Sequence, residues 1–280
     1  MSNKIHDTTY LDLIFSEEEF KEIAKEDLPF KITLMLVNRP ITHEIFDPLY
    51  KFASNIICCD GASNRLYHAF SDSDRGNHLP THIVGDLDSS KTEVIDYYKE
   101  KGVKIIKDGD QDHTDFEKAL NLIKELLVKN SEDESKDDRP NKVIVLFPFG
   151  GRIDQTLSSM HVLSRYLTVD AELKDNAEII LLDQNSVTQY LAAGEHEIRI
   201  SKNLESKIGV GLIPLSGKCE NIKTSGLKWN LGNSEEEFSS LEFGGEIIST
   251  SNEIIEDVVT IENSHSLMWT TTTKLYYEND

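Results

Sequence analysis

The chain predicts a fold in two parts: an α/β domain on a mostly parallel sheet, then an all-β domain. Three observations carry that expectation. Short β-branched runs alternate with helical patterns up to about residue 168, the helical period fades after about 170, and strands then follow one another with only Gly, Asn and Ser clusters between them. A length of 280 residues gives room for two ordinary domains, and 38% hydrophobic with 28% charged residues is a globular composition.

Residues 1–30 are polar and acidic and read as an N-terminal extension, with SEEEFKEIAKED (16–27) as a short helix. The α/β domain spans 31–170. Its strands are ITLMLV (32–37), NIICC (55–59), THIVG (81–85), VKIIK (103–107) and KVIVLF (142–147). In TDFEKALNLIKELLVKN, Phe116, Leu120, Ile123 and Leu127 recur at helical spacing, and Thr114 with Glu117 forms a T-x-x-E capping box, so this helix starts at Thr114. In DQTLSSMHVLSRYL, Leu157, Met160, Ser164 and Leu167 share one side with Leu163 beside them, and Asp154 is the expected N-cap.

SDSDRGNH (71–78) and SEDESKDDRPN (131–141) carry charge without apolar periodicity and read as solvated insertions. Residues 171–280 form the second domain. EIILL, VTQYL, HEIRI, KIGVGLI, GEIIST, DVVTI and LMWTTTTKLYY predict an antiparallel sandwich or barrel.

Charge narrows the function. Fifty Asp and Glu against 29 Lys and Arg give a net charge of −21, a field that repels nucleic-acid backbones and anionic lipid. An anionic substrate would have to arrive with a counter-ion, and Mg²⁺ is the usual one for nucleotides. Cys58, Cys59 and Cys219 form no CxxC pair and read as core residues of a reduced compartment. The start, MSNKIHDTTYLDLIF, lacks a basic segment followed by a long apolar run, and no stretch approaches the roughly 20 apolar residues of a membrane helix, so the expectation is a cytoplasmic protein.

Four polar clusters fall just after strands. NIICC leads into Asp60-Gly61-Ala62-Ser63-Asn64-Arg65, THIVG into Asp86-Leu87-Asp88-Ser89, VKIIK into Asp110 through Asp115, and KVIVLF into Phe149-Gly150-Gly151-Arg152-Ile153-Asp154-Gln155. In an open parallel sheet the carboxyl ends of the strands share one edge, where ligands bind, so these segments are expected to converge. Asp86 and Asp88 can reach one cation if the chain turns after the strand. With Asp115 at the first helical position, they offer three oxygen ligands suited to octahedral Mg²⁺. The glycine pair before Arg152 lets backbone approach a phosphate while the guanidinium neutralises it. GLIPLSGK (211–218) has five residues between its glycines and Cys219 after the lysine, so it is strand and turn instead of a P-loop. Neither a GxSxG elbow nor an HExxH pair occurs.

Taken together, CCDGASNRLY, HIVGDLDSS, DQDHTDFEKAL, FGGRIDQTLSS, SGLKWNL, FGGEIISTSN and LMWTTTTK resemble the thiamin pyrophosphokinase family, in family order from about residue 58 to 274. The resemblance implies a Rossmann-like α/β domain followed by a β-sandwich. It also implies a homodimer with active sites at the interface, and transfer of a pyrophosphoryl group from ATP to thiamin. It implies Asp86, Asp88 and Asp115 as Mg²⁺ ligands, and Asp60, Asn64 and Arg152 around the nucleotide and its phosphates. Gln111, Thr114 and Asp154 would border the substrate pocket. Trp229 and Ser249, Thr250, Ser251 and Asn252 of the second domain would contact thiamin, a planar cation that an indole face can stack and a negative field attracts. One departure is Ala62, where family members often carry a second glycine. Asp115 and Asp154 are the candidates for taking the thiamin hydroxyl proton. Two rival readings are a different Mg²⁺-dependent D-x-D transferase or phosphatase and a catalytically silent thiamin-binding protein.

Overall fold

The computed structural model describes residues 4–12, 23–131, 137–200, 209–234 and 238–273. In chain order the elements are β1 (Lys4–Asp7), β2 (Lys31–Leu36), α1 (His43–Phe52), β3 (Ala53–Cys59), α2 (Ala62–Ala69), β4 (His82–Gly85), α3 (Thr92–Glu100), β5 (Lys104–Lys107), α4 (Asp115–Ser131), β6 (Asn141–Leu146), α5 (Ile153–Val169), α6 (Ala171–Asn176) and β7 (Ala177–Leu182). Seven strands complete the chain: β8 (Ser186–Leu191), β9 (Gly194–Arg199), β10 (Gly209–Ile213), β11 (Ile222–Ser225), β12 (Ser249–Glu253), β13 (Val258–Asn263) and β14 (Leu267–Thr272).

Contacts divide the chain into one unit of Ile23–Asp183 and another of Met1–Glu22 with Gln184–Asp280. The first unit carries six strands in the order β7-β6-β2-β3-β4-β5, every pair parallel. β2, β4 and β6 are buried almost end to end, as strands covered on both faces must be, and β5 closes one edge with exposed lysines. The chain runs outward from β2 to β5 and returns to β6 on the other side of β2. That reversal is a topological switch point between β2 and β6.

The second unit is a sandwich of two four-stranded sheets, β12-β10-β14-β8 and β1-β9-β13-β11. Its core joins Leu191, Val210, Leu212 and Trp269 of the first sheet with Ile198, Ile222, Val259 and Ile261 of the second. The sandwich-or-barrel alternative is thereby settled. β11 is a strand that the sequence reading passed over.

Two boundaries differ from expectation. The second domain was placed at 171, but Ala177–Leu182 pairs in parallel with β6 and belongs to the α/β unit. An apolar run such as AEIILL fits a buried parallel strand as well as a sandwich strand, so texture alone misplaced it. Residues 4–12 are also more than an extension: β1 pairs in parallel with β9. Of the helix expected over 16–27, residues 16–22 lie outside the described residues, and Lys25–Asp27 is a single 3₁₀ turn.

The helix expectations were good at one end and poor at the other. α4 has its capping box: Thr114 N–H donates to Glu117 Oε2 at 2.8 Å and Glu117 N–H to Thr114 Oγ1 at 3.3 Å. α5 starts two residues earlier than predicted, with Arg152 as N-cap and Asp154 inside the first turn. Its buried face is Val162, Leu163, Tyr166 and Leu167, while Ile153 and Leu157 are 69% and 54% exposed. The 71–78 segment is anchored, not merely solvated. Buried Arg75 donates to the Tyr67 carbonyl at 2.7 Å, pairs with Asp72 at 2.7 Å and lies 3.6 Å over the Tyr67 ring. Among the described residues no helix is long and apolar enough to cross a membrane.

Candidate active site

The carboxyl ends of the parallel strands open into a cavity of about 640 Å³. The four strand-end clusters do converge there: Asp60, Asp86, Gln111, Thr114, Asp115, Gly150 and Arg152 all line it. The backbone at these ends is unusual. Among the described residues, non-glycine positions with left-handed backbone are Asp60 (φ 38°), Leu87 (φ 65°), Phe147 (φ 58°) and Ser251 (φ 57°). The first three directly follow β3, β4 and β6 or fall within the turn after them, and the fourth lies in the 249–252 run. Strain of this kind persists where surrounding structure holds it, and it collects at functional sites.

Asp60, Asp86 and Asp88 offer carboxylate oxygens that all lie within 4.8 Å of one another. Asp60 is buried and already engaged: Oδ2 accepts from the Ser89 N–H at 3.0 Å and Oδ1 from the Ser90 hydroxyl at 2.7 Å. It braces the D-x-D turn from beneath. Asn64 does the same from α2, donating to the Ser89 carbonyl at 2.7 Å and accepting from the Lys91 N–H at 3.0 Å. Ala62, the departure noted in the sequence, opens α2 as a buried residue outside the left-handed region.

Asp86 is held open to the cavity. Its Oδ1 accepts from the Asp88 N–H at 3.0 Å and its Oδ2 from Gln111 Nε2 at 3.2 Å, and these donors hold its carboxyl below the ordinary range. Asp115 moves the other way. Burial first, and then the Asp60 charge, raise its carboxyl, while Lys118 at 3.5 Å from Oδ1 opposes the shift. Gly85 makes this crowding possible, because a Cβ there (φ +150°) would stand 2.8 Å from Asp60 Cβ and 2.9 Å from Asp115 Oδ1. Carboxylates gathered so closely repel one another, and hard oxygen donors in this number fit a divalent cation such as Mg²⁺.

The other expected residues are placed as follows. Thr114 lines the cavity, but its hydroxyl donates to Glu117 Oε2 at 3.0 Å as part of the cap. Arg152 is exposed and forked onto Asp154, with Nε 3.1 Å from Oδ1 and Nη2 2.5 Å from Oδ2, so Asp154 is held below the ordinary carboxyl range. His113 pairs with Asp110 at 2.6 Å, which raises the imidazole. In the sandwich unit Trp229 is 57% exposed, with Lys228 Nζ 4.8 Å from its ring. Asn252 is buried and clamps the Trp229 backbone twice, accepting from its N–H at 3.2 Å and donating to its carbonyl at 2.8 Å. Ser249 is buried as well, whereas Thr250 and Ser251 face solvent.

Asn38, Arg39 and Lys118 line the cavity and were missed in the sequence. The signal was available for two of them, because Asn-Arg-Pro follows ITLMLV as the other clusters follow their strands.

Comparison with known proteins bears on the same residues. The family model described as thiamin pyrophosphokinase, catalytic domain, matches residues 46–175, and that described as thiamin pyrophosphokinase, vitamin B1 binding domain, matches 195–268. Thiamine pyrophosphokinase 2 of Arabidopsis thaliana is 30% identical over 275 residues, covering 94% of each chain. Thiamine pyrophosphokinase of Saccharomyces cerevisiae is 27% identical over 267 residues, covering 79% of this chain and 80% of the relative. The solved structure of thiamin pyrophosphokinase from Candida albicans superposes with a TM-score of 0.78 at 23% identity, over 98% of this chain and 94% of that one, a likeness of fold.

Proposed function

The chain belongs to the thiamin pyrophosphokinase family, and from that premise we propose how its own residues transfer a pyrophosphoryl group from ATP to thiamin. It is an ATP-dependent pyrophosphotransferase with thiamin and ATP as substrates. The observation that supports the mechanism best is the carboxylate cluster of Asp60, Asp86 and Asp88 at the carboxyl edge of the parallel sheet.

In this reading the thiamin hydroxyl oxygen forms a bond to the β-phosphorus, the bond from that phosphorus to the bridging oxygen breaks, and AMP leaves with the electron pair. Asp86, Asp88 and Asp115 would hold Mg²⁺, with Asp60 and Asn64 bracing the turn that carries Asp86 and Asp88. When bound, Mg²⁺ supplies charge neutralisation for the phosphates. Gln111 keeps Asp86 oriented, Thr114 starts the helix that carries Asp115, and both border the substrate pocket with Asp154. Arg152 contributes positive charge toward the nucleotide. Trp229 stacks on the thiamin cation, Asn252 sets its loop, Ser249 is the other buried member of the 249–252 run, and Thr250 and Ser251 are its exposed members.

Of the two carboxylates open to the hydroxyl proton, Asp154 is the poorer acceptor, because Arg152 holds its proton affinity down. Burial and the neighbouring Asp60 charge raise the proton affinity of Asp115 in the metal-free site. Ligation and proton acceptance compete at one carboxylate, and Asp115→Asn separates them: lost Mg²⁺ affinity marks a ligand, and intact Mg²⁺ affinity with lost kcat marks an acceptor.

A homodimer belongs to this reading, supported by the large apolar side chains left exposed at Ile153, Leu157, Phe238, Phe243 and Ile255. Light scattering of the purified protein tests it. Action in the cytoplasm is supported by three buried cysteines that remain free thiols. The decisive assay supplies thiamin, ATP and Mg²⁺ and follows AMP and thiamin pyrophosphate together. Equal amounts of both are expected, whereas ADP with a monophosphate, or binding without product, would sink the reading.

A further inference from the structure

Four cationic side chains line the cavity: Arg39, His113, Lys118 and Arg152. Three are committed. Lys118 Nζ donates to the Asp108 carbonyl at 3.0 Å and faces Asp115, Arg152 is forked onto Asp154, and His113 pairs with Asp110. The Arg39 guanidinium has no hydrogen bond or ion pair among the described residues. A half-buried guanidinium without a partner, in a cavity rich in carboxylates, is costly unless it serves a ligand.

Its position is fixed from several directions. Arg39 leaves the end of β2 at the switch point between β2 and β6, where an open α/β sheet offers its ligand crevice. The Arg39 N–H donates to the Val37 carbonyl at 2.7 Å, closing a tight turn, and Pro40 restricts the Arg39 backbone to extended forms. The guanidinium lies against Gly150 (φ +85°) and Gly151 (φ +70°) after β6: a Cβ at Gly151 would stand 2.1 Å from Nη1, and one at Gly150 would stand 2.9 Å from Nη2. The two glycines therefore make room for a guanidinium.

We infer that Arg39 is the residue that grips the phosphate chain of the nucleotide, the task the sequence reading gave to Arg152. The inference rests on the transfer reading above and adds to it a nucleotide-specific contact from β2. A planar fork binds phosphate oxygens in pairs and stays charged at every working pH, which an ammonium group cannot reproduce in geometry. Arg152 is spent on Asp154 and is exposed to water, where a charge is worth less.

Steady-state kinetics of Arg39→Ala with ATP and thiamin varied in turn give the test. The expected result is a KM for ATP raised about tenfold or more, from the loss of a charged hydrogen-bond pair, with the KM for thiamin within about twofold of wild type. Arg39→Lys recovers part of the loss, and Gly151→Ala, which pushes the guanidinium away, reproduces it. An unchanged KM for ATP in Arg39→Ala, or equal rises for both substrates, overturns the inference. Calorimetric titration of wild type and Arg39→Ala with tripolyphosphate gives a second reading without turnover: weaker binding by about tenfold or more supports it, and equal binding overturns it. If wild type yields no AMP with thiamin pyrophosphate, the transfer reading falls and the titration alone decides the role of Arg39.

Discussion

The carboxyl edge of the parallel sheet and the interior of the sandwich treat polar groups in opposite ways. At the sheet edge, carboxylates are crowded around turns that include left-handed backbone at Asp60 and Leu87, and Asp88 faces solvent. Inside the sandwich, polar groups are closed on one another. Asn263 Nδ2 donates to the Ala192 and His265 carbonyls at 2.8 Å each, Thr188 donates to Thr270 at 2.9 Å, and Tyr190 donates to Ser266 at 2.6 Å. The first arrangement costs stability and leaves capacity to bind; the second contributes to a unique fold, and of Asn263 only the buried Oδ1 has no hydrogen-bond partner among the described residues. Where the sandwich does present an open group, Trp229, it is carried on a loop that buried Asn252 holds from behind.

The largest expected effect breaks the open side of this contrast. Asp88→Asn should lower kcat/KM by about 100-fold or more, since charge placement supplies most of the rate in phosphoryl-type transfer. The same substitution removes a like charge, so unfolding without Mg²⁺ should occur at an equal or higher temperature. Normal turnover at limiting Mg²⁺ would remove Asp88 from the metal site, and a large drop in melting temperature would give the cluster a structural role.

A smaller effect joins the two sides. Asn252→Ala removes both clamps on the Trp229 backbone and should raise the KM for thiamin by about tenfold while the KM for ATP stays near wild type. Trp229→Ala should match it. Equal rises for both substrates would show general damage to the sandwich in place of a thiamin contact.

The smallest effect tests the closed side. His6 of β1 and His196 of β9 are both buried, with His6 Nε2 3.1 Å from His196 Nδ1, and His196 Nε2 is 2.9 Å from the Ala192 carbonyl. Nε2 must donate to that carbonyl, which leaves Nδ1 to accept from His6. Burial pushes His196 down to about 4. Its folded form thus holds fewer protons than the unfolded chain, and the stability of the sandwich, complete above the ordinary imidazole pKa of about 6.5, should fall as pH drops toward 4, by about 3 kcal/mol in all. Denaturant unfolding followed by tryptophan fluorescence reads this unit alone, because Trp229 and Trp269 both lie in it. His196→Gln should flatten the dependence between pH 7 and pH 5. An equal slope in the variant would assign the effect elsewhere.

Local signals explain what was legible from the chain. β-branched runs marked the five strands β2–β6, the T-x-x-E pair marked the start of α4, and polar residues after each strand marked the cavity, because each depends on neighbours within a few residues. Strand order, the membership of β7, the buried bracing by Asp60 and the pairing of Arg152 with Asp154 needed the folded chain. AEIILL could join either sheet until β6 stood beside it. Asp60 and Arg39 have equally polar side chains in the sequence, yet one is satisfied by Ser89 and Ser90, while the other lies against Gly150 and Gly151 with no hydrogen bond or ion pair from its guanidinium among the described residues. Whether a charge is spent or available depends on partners brought from distant segments, and only tertiary packing sets those distances.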